Sequence, residues 1–248
     1  MKNDDAPAVA EPDEEGGVWF VLEKASLEVA KVGKNYQLLN CDDHANFLRK
    51  HKRDPALLRP DIIHQDLFRG KNTIFALTLY MRYVLFAIVQ ALLAILDSPL
   101  NKAGKLKGLY VMTDSKVLIQ VNPHIRIPRT FKRFCGLMVQ LLQKLSIRAT
   151  NGPEKLLRVV KQPVTKHLPV GARRIGLSHS APKVIKLHDY VAAMGLKSKM
   201  VFVVGAMAHG KIEADYIEDL IAVSEYPLSA ACCIGRICNA IEQQFKIL

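Results

Sequence analysis

One stretch of the sequence decides the fold: Val201 to Lys211, which reads VFVVGAMAHGK. Met200 to Val204 is a short apolar run rich in β-branched residues, and the run ends abruptly at Gly205. This pattern predicts a buried strand that leads into a glycine loop. Open α/β sheets bind cofactors beyond the ends of such strands, where glycines let the backbone approach a ligand closely. We therefore expect a cofactor site at this loop.

The same loop allows a competing interpretation. Gly205, Gly210 and Lys211 match G-x-x-x-x-G-K, the phosphate-binding loop of nucleotide hydrolases. The next residue is Ile212, so the hydroxyl group that holds Mg²⁺ in that motif is missing. Few residues follow Lys211, although the motif normally opens a long nucleotide-binding core. The sequence therefore favours a different cofactor over a nucleoside triphosphate.

The charge of the chain is unevenly distributed. The formal net charge is +12, yet residues 1–17 are acidic and contain no aromatic residue. This composition predicts a disordered tail at residues 1–17, followed by a strongly basic domain at residues 18–248. A basic domain indicates a polyanionic partner, most simply nucleic acid. A basic protein without such a partner is the alternative.

The cysteine pattern argues against a metal site. The five cysteines form no C-x-x-C pair and have no matching histidine spacing. Asp42, Asp43 and His44 are adjacent, and adjacent residues seldom converge on one ion. The odd number of cysteines and the lack of a signal peptide predict a reducing, intracellular compartment.

A long apolar segment runs from Ile74 to Leu96, with Arg82 as its single charged residue. Its length is sufficient for a membrane span. Arg82 near the middle would cost roughly 2.5–3.5 kcal/mol on insertion scales. We therefore expect no membrane span, and a small membrane protein is kept as an alternative.

The order of strands, loops and helices in the last third of the chain predicts an α/β fold. We expect strands at Val18 to Leu22 and Arg174 to Ser178, and a hairpin of Leu109 to Met112 with Val117 to Val121. A polar loop is expected at 97–105. Helices are predicted at Leu137 to Leu145, Glu154 to Lys161, His188 to Met194, Tyr216 to Val223 and Ala230 to Phe245.

The segment from Arg126 to Phe134 combines four cations with two aromatic residues. Arginine side chains suit phosphate oxygens, and phenylalanine or arginine planes can stack on unpaired bases. The segment therefore predicts contact with RNA. The alternative is the start of a helix with a solvated basic face.

Several blocks together resemble one known family. They are His64 and Gln65 followed by Ala91 to Leu106, then Val121 to Arg148, VFVVGAMAHGK, and SEYPLSAA at Ser224 to Ala231. From about Val18 to Leu248 the chain looks like the nucleolar essential protein family, the pseudouridine-N1-specific methyltransferases of small-subunit ribosomal RNA in the SPOUT class. The resemblance implies an α/β fold with a C-terminal trefoil knot and a small β-rich extension. It also implies a homodimer, a nucleolar location in the nucleus, and pre-ribosomal RNA and assembly factors as partners.

The resemblance also implies site residues. S-adenosylmethionine would be held in the knot by residues of three loops: Leu177, Ser178, Val204, Gly205, Ala206, Gly210, Tyr226, Pro227, Leu228 and Ser229. Methyl transfer to a ring nitrogen requires loss of a proton, for which a carboxylate within reach is suited. The family pattern offers Asp61 and Asp97 for this role, and a structural role for Asp61 through Arg59 stays open. The positions that match RNA contacts are Arg59, Arg126, Arg129 and Arg133.

The chain departs from the family pattern in one segment. That pattern runs from Gln65 directly to Ala91, so residues 66–90 look like a hydrophobic insertion. Because of this departure, our hypothesis is a translated intron or a rare splice form. The segment falls between Asp61 and Asp97, so we expect a chain that carries it to be impaired. The family resemblance as a whole makes an RNA methyltransferase the leading hypothesis for the function. The alternative is a non-catalytic assembly factor that binds pre-ribosomal RNA.

Overall fold

A computed structural model describes residues 16–25, 27, 29–32, 35–38, 87–150, 152–206, 212 and 214–247. Three residues predicted to belong to the site, Arg59, Asp61 and Gly210, lie outside these ranges. So do most of the 1–17 tail and most of the 66–90 insertion. The predictions made for them stay predictions.

An eight-stranded sheet forms the centre of the molecule, in the order β10-β8-β9-β1-β4-β5-β7-β6. Its strands are β1 (Gly17–Ala25), β4 (Leu106–Thr113), β5 (Leu118–Val121), β6 (Ser146–Arg148), β7 (Lys155–Val160), β8 (Arg173–Leu177), β9 (Lys199–Gly205) and β10 (Asp219–Ile221). The five strands from β10 to β4 are parallel, and β5, β7 and β6 continue the sheet antiparallel. A separate hairpin pairs β2 (Val29–Val32) with β3 (Asn35–Leu38).

Helices pack against the sheet, and two of them begin at a serine cap. They are α1 (residues 87–96), α2 (Pro99–Lys102), α3 (Phe131–Lys144), α4 (Leu187–Met194) and α5 (Ala230–Gln244), with a 3-10 helix at Val164–His167. The Ser98 side chain accepts the Asn101 N–H at the start of α2, and the Ser229 side chain accepts the Cys232 N–H at the start of α5. These caps satisfy backbone donors that have no partner within the helix.

The predicted central strand is confirmed as β9, which is buried on both faces. Phe202 and Val204 join the main core cluster, whereas Val201 and Val203 join a second cluster on the opposite face. The Phe202 ring lies 5.8 Å from the ring of Phe20 in β1, between ring centroids. Burial on both faces explains why the run is continuously apolar rather than alternating.

The described end of the long apolar segment is a core helix. In α1, the side chains of Ile88, Val89, Leu92 and Ile95 are buried in the main cluster. Among the described residues, no helix is both long enough and apolar enough to cross a membrane. The apolar character of residues 87–96 therefore reflects packing against the sheet.

Three local predictions are wrong. Glu154 to Lys161 is not a helix but contains β7, and Tyr216 to Val223 contains β10. Both segments pair with strands distant in sequence, β7 with β5 and β10 with β8, so tertiary pairing overrides their local preference. The loop at 97–105 contains the short helix α2.

The α/β class and the β-rich extension are confirmed, since β5, β7 and β6 form that extension. The trefoil knot depends on the path of the glycine loop. Residues 207–211 of that loop lie outside the described ranges, so the knot stays a prediction.

Candidate functional site

Three neighbouring parallel strands end side by side at one edge of the sheet. In the strand register, Leu177 at the end of β8 lies opposite Val204 of β9 on one side and Ile221 of β10 on the other. The loops that follow these strands therefore begin next to one another. This carboxyl edge is where open parallel sheets place their ligands.

Backbone hydrogen bonds fix the first residues of these loops. The Ser178 N–H donates to the Ile221 carbonyl at 3.0 Å, and the Ala206 N–H donates to the Glu23 carbonyl at 2.7 Å. Leu177, Val204 and Ala206 are buried, so they form an apolar floor beneath the edge. The structure thus brings together the described cofactor candidates of the first two loops, Leu177, Ser178, Val204, Gly205 and Ala206.

The third loop joins β10 to α5 and supplies the remaining cofactor candidates. The Tyr226 N–H donates to the Ser224 hydroxyl at 3.0 Å, and the side chain of Tyr226 is 75% exposed. Pro227 is exposed, Leu228 is half-buried and Ser229 caps α5. A buried apolar floor from which three neighbouring loops start, one of them with an exposed aromatic ring, is suited to a nucleoside ligand.

Two further predicted site residues, Asp97 and Arg129, form an ion pair elsewhere. Arg129 Nη2 lies 3.2 Å from Asp97 Oδ2, and both side chains are at least half exposed. The segment after Asp97 is held at the far end of α5, because the Leu100 N–H donates to the Glu242 carboxylate at 3.0 Å. From Ser229 to Glu242 the helix rises about 20 Å. Asp97 thus lies beside the second half of α5, away from the cofactor candidates of the same chain.

Contact of the segment 126–134 with RNA stays a prediction, and the structure shows which of its side chains are exposed. Arg126, Arg129 and Arg133 are exposed, and α3 begins at Phe131. Phe134, however, is fully buried against the core, so it cannot stack on a base. The helix-start interpretation therefore holds for the aromatic residues, while the arginines are available on the surface.

Sequence reasoning missed a buried contact next to the glycine loop. The Tyr216 hydroxyl donates to Glu23 Oε1 at 2.6 Å, and Glu23 pairs with Gly205 in the register of β1 and β9. Burial and this hydrogen bond raise the pKa of Tyr216, so its hydroxyl stays protonated. The available signal was a glutamate ending the otherwise apolar run VWFVL.

A cavity of about 510 Å³ opens at the opposite edge of the sheet. Its charged lining consists of Arg173, Arg174, Glu218 and Asp219, at the amino ends of β8 and β10. The two arginines form ion pairs with the two acidic residues. The cavity is therefore distinct from the predicted cofactor site, which lies at the carboxyl ends of the same strands.

A parallel sheet with a loop cradle at its carboxyl edge defines an α/β cofactor-binding protein. Comparison with known families makes this class specific: the EMG1/NEP1 methyltransferase family matches residues 20–78 and 87–242. The chain belongs to this family, which confirms the resemblance found in the sequence. The match is interrupted at 79–86, within the segment that the sequence predicts to be an insertion.

Individual relatives agree with the family. The human protein named ribosomal RNA small subunit methyltransferase NEP1 is 47% identical over 228 residues, which cover 92% of this chain and 82% of the relative. The Caenorhabditis elegans protein of the corresponding name is 45% identical over 231 residues, covering 93% of this chain and 88% of the relative. The crystal structure of Archaeoglobus fulgidus Nep1 bound to S-adenosylhomocysteine superposes with a TM-score of 0.63 at 21% identity. The superposed region covers 93% of this chain and 99% of the Archaeoglobus fulgidus chain. The two proteins therefore share a fold.

Proposed function

We propose that this protein transfers a methyl group from S-adenosylmethionine to N1 of a pseudouridine in small-subunit ribosomal RNA. Family membership and the names of the relatives support methylation of this RNA. The observation that carries the proposal is the alignment of Leu177, Val204 and Ile221 at one edge of the sheet. We further propose a nucleolar location and action with pre-ribosomal assembly factors.

The residues at the carboxyl edge fit the cofactor. Leu177, Val204 and Ala206 would pack under its apolar parts, while Ser178 and Gly205 offer backbone groups at the loop starts. Tyr226 to Ser229 would close the third side. When bound, S-adenosylmethionine supplies an electrophilic methyl group on a sulfonium. The structural neighbour bound to S-adenosylhomocysteine supports this choice of cofactor.

The N1 position must lose a proton as the new bond forms, so a carboxylate near the base is needed. Asp97 already accepts a hydrogen bond from Arg129, whose guanidinium has further donors for a phosphate oxygen. We therefore expect Arg129 to bring Asp97 close to the RNA backbone. Asp61, outside the described residues, is the second candidate.

The separation of Asp97 from the cofactor residues of its own chain supports the predicted homodimer. In a symmetric dimer, Asp97 of one subunit can approach the cofactor of the other. This arrangement predicts complementation between two inactive variants, Asp97→Asn and Ala206→Leu. The first keeps an intact cofactor cradle, and the second keeps Asp97.

Mixing the two inactive variants after dissociation and reassembly tests the arrangement. Random mixing makes half of the dimers mixed, each with one complete site, so about a quarter of the wild-type activity should return. Asp97→Asn alone should lose roughly 10²–10⁴-fold in rate if Asp97 is the general base. No recovery on mixing would assign Asp97 to its own subunit or remove it from the chemistry.

The primary experiment is calorimetric titration with S-adenosylmethionine, followed by a methyl-transfer assay on an RNA hairpin with a single pseudouridine. The same hairpin with uridine at that position is the matched control. We expect transfer only to the pseudouridine hairpin, with the methyl group on N1 by mass spectrometry of the nucleosides. Cofactor binding without any transfer would support the non-catalytic assembly factor.

A further inference from the structure

Within the described residues, no α-helix covers one face of the antiparallel end of the sheet. Strands β5, β7 and β6 pack their inner face against α3, where Ile119, Ile147 and Leu157 join the main core. We call the opposite face of these strands the outer face. Its polar part is formed by Gln120, Ser146, Arg148, Lys155 and Arg158, while Leu118 and Val160 on the same face belong to the second core cluster.

A β-bulge determines which side chains reach the outer face. In the pairing of β6 with β7, Ser146 lies opposite Arg158, Ile147 opposite Leu157, and Arg148 opposite Lys155. Leu156 is the extra residue, and both Leu156 and Leu157 pack against the core. Because the bulge shifts the alternation by one residue, Lys155 joins Arg148 and Arg158 on the outer face. Without the bulge, Lys155 would lie on the core side.

The positive charges of the outer face are uncompensated. Residues 144–168 contain six lysines and arginines and one acid, Glu154. Glu154 is held by Asn122, whose side-chain amide donates to it at 2.9 Å. Arg158 donates to the Gln120 side chain at 2.5 Å. Within the described part of the chain, no ion pair involves the three basic residues of the outer face, whereas Arg129, Arg173 and Arg174 each have a carboxylate partner.

We propose that the outer face binds the phosphate backbone of ribosomal RNA beyond the target loop. This proposal rests on the proposed function, which supplies the RNA. Arg126 and Arg133 lie on the side of α3, and β6 is the last strand of the sheet. An RNA that contacts both sides must pass around β6, so only an RNA longer than the target hairpin reaches the outer face. Guanidinium and ammonium groups without a carboxylate partner are suited to phosphate contacts.

The test compares two double variants with two RNAs. Arg148→Gln with Lys155→Gln removes two charges from the outer face. Lys197→Gln with Lys246→Gln removes two charges from exposed positions elsewhere and is the matched control. Each protein is titrated by fluorescence anisotropy with the pseudouridine hairpin and with the same hairpin extended by its flanking helix, at several salt concentrations. Thermal melting of each variant verifies that it is folded.

For the outer-face variant, we expect affinity for the extended RNA to fall about tenfold or more at low salt, with the slope of log K against log salt reduced by about two. Its affinity for the short hairpin and for S-adenosylmethionine should stay unchanged. The control variant should retain affinity for both RNAs.

Three outcomes would overturn the assignment: unchanged binding of the extended RNA, equal losses in the control variant, or equal losses with the short hairpin. Loss of binding to poly-glutamate with RNA affinity retained would assign the face to an acidic polypeptide instead. Because the titrations need no catalysis, they separate this proposal from the proposed function. If the wild-type protein binds the extended RNA through this face but does not methylate it, only the proposed function is refuted.

Discussion

The two edges of the parallel strands are built from different interactions. At the amino edge, side chains bind one another: Arg173 pairs with Asp219 at 2.6 Å, Arg174 pairs with Glu218, and the Tyr190 hydroxyl donates to Asp219 at 2.7 Å. At the carboxyl edge, backbone groups make the cross-strand bonds beyond Leu177. At the amino edge the charged side chains thus pair with one another, whereas at the carboxyl edge the loops are positioned to bind a ligand.

The comparison shows that a cavity alone does not identify a site. The charged residues that line the cavity at the amino edge already pair with each other, so they offer a ligand no uncompensated charge. The carboxyl edge offers an apolar floor and short loops instead. The following predictions test this division of roles.

The largest expected effect is on the strand that connects both edges. Phe202→Ala in β9 removes a fully buried ring that contacts Phe20, so the free energy of unfolding should fall by about 3–5 kcal/mol. Both edges should then lose structure together, which lowers the Tm and weakens cofactor binding. Leu196→Ala, at a half-exposed position, is the control and should shift Tm little. A small Tm change for Phe202→Ala would contradict the buried central strand.

The same substitution at the two edges should separate them. Ala206→Leu adds bulk to the buried floor of the carboxyl edge, whereas Ala172→Leu adds it beside the cavity of the amino edge. Overpacking costs roughly 1–3 kcal/mol at either position. Only Ala206→Leu should weaken S-adenosylmethionine binding in calorimetry, by about tenfold or more. Equal losses of affinity in both variants would contradict the prediction that only the carboxyl edge binds the cofactor.

Removing the Tyr216 hydroxyl should weaken the support of the glycine loop. Tyr216→Phe leaves the Glu23 carboxylate without its hydrogen-bond donor, so we expect a loss of about 1–3 kcal/mol in stability by urea unfolding. Tyr226→Phe, at an exposed position, should change stability by less than about 0.5 kcal/mol. Identical stabilities of wild type and Tyr216→Phe would show that the contact is unimportant.

The smallest effect concerns pH and the amino edge. Hydrogen bonds from Tyr190 and Arg173 hold the pKa of Asp219 below its ordinary value. Ionised Asp219 therefore stabilises the fold above its unfolded pKa of about 3.9, and this stabilisation is lost as pH falls through the lower folded pKa. Because the pair is partly exposed, the contribution should be at most about 1 kcal/mol.

Chemical denaturation of Asp219→Asn across pH measures this contribution. The difference from wild type should be full at pH 7 and should shrink below about pH 4. Affinity for S-adenosylmethionine should not change. The exposed substitution Asp215→Asn is the control, and a pH-independent difference for Asp219→Asn would exclude the titration of its carboxylate as the cause.

Sequence patterns predicted the elements that depend on local composition. The apolar runs of β1 and β9, the hairpin of β4 with β5, and helix α5 follow directly from periodicity and turn residues. Strands β7 and β10 were mistaken for helices because their pairing partners are distant in the chain. The bulge at Leu156 has no local signature, since only the register with β6 reveals it.

The prediction of the candidate site depended more on the family resemblance than on local sequence patterns. The glycine loop was predicted from the end of an apolar run, but the Tyr226 to Ser229 loop came from the family blocks. Neither source predicted that Asp97 lies beside the second half of α5, because that position depends on the contact between Leu100 and Glu242. The ion pairs of the amino edge join residues more than 40 positions apart and could not be read from spacing.

The two outermost strands of the sheet, β10 and β6, have three residues each. Such short borders expose few unpaired backbone groups, and this discourages strand addition and aggregation. Within the described sheet, these borders offer little backbone for a partner strand. We therefore expect the proposed dimer to assemble mainly through side-chain contacts of helices and loops.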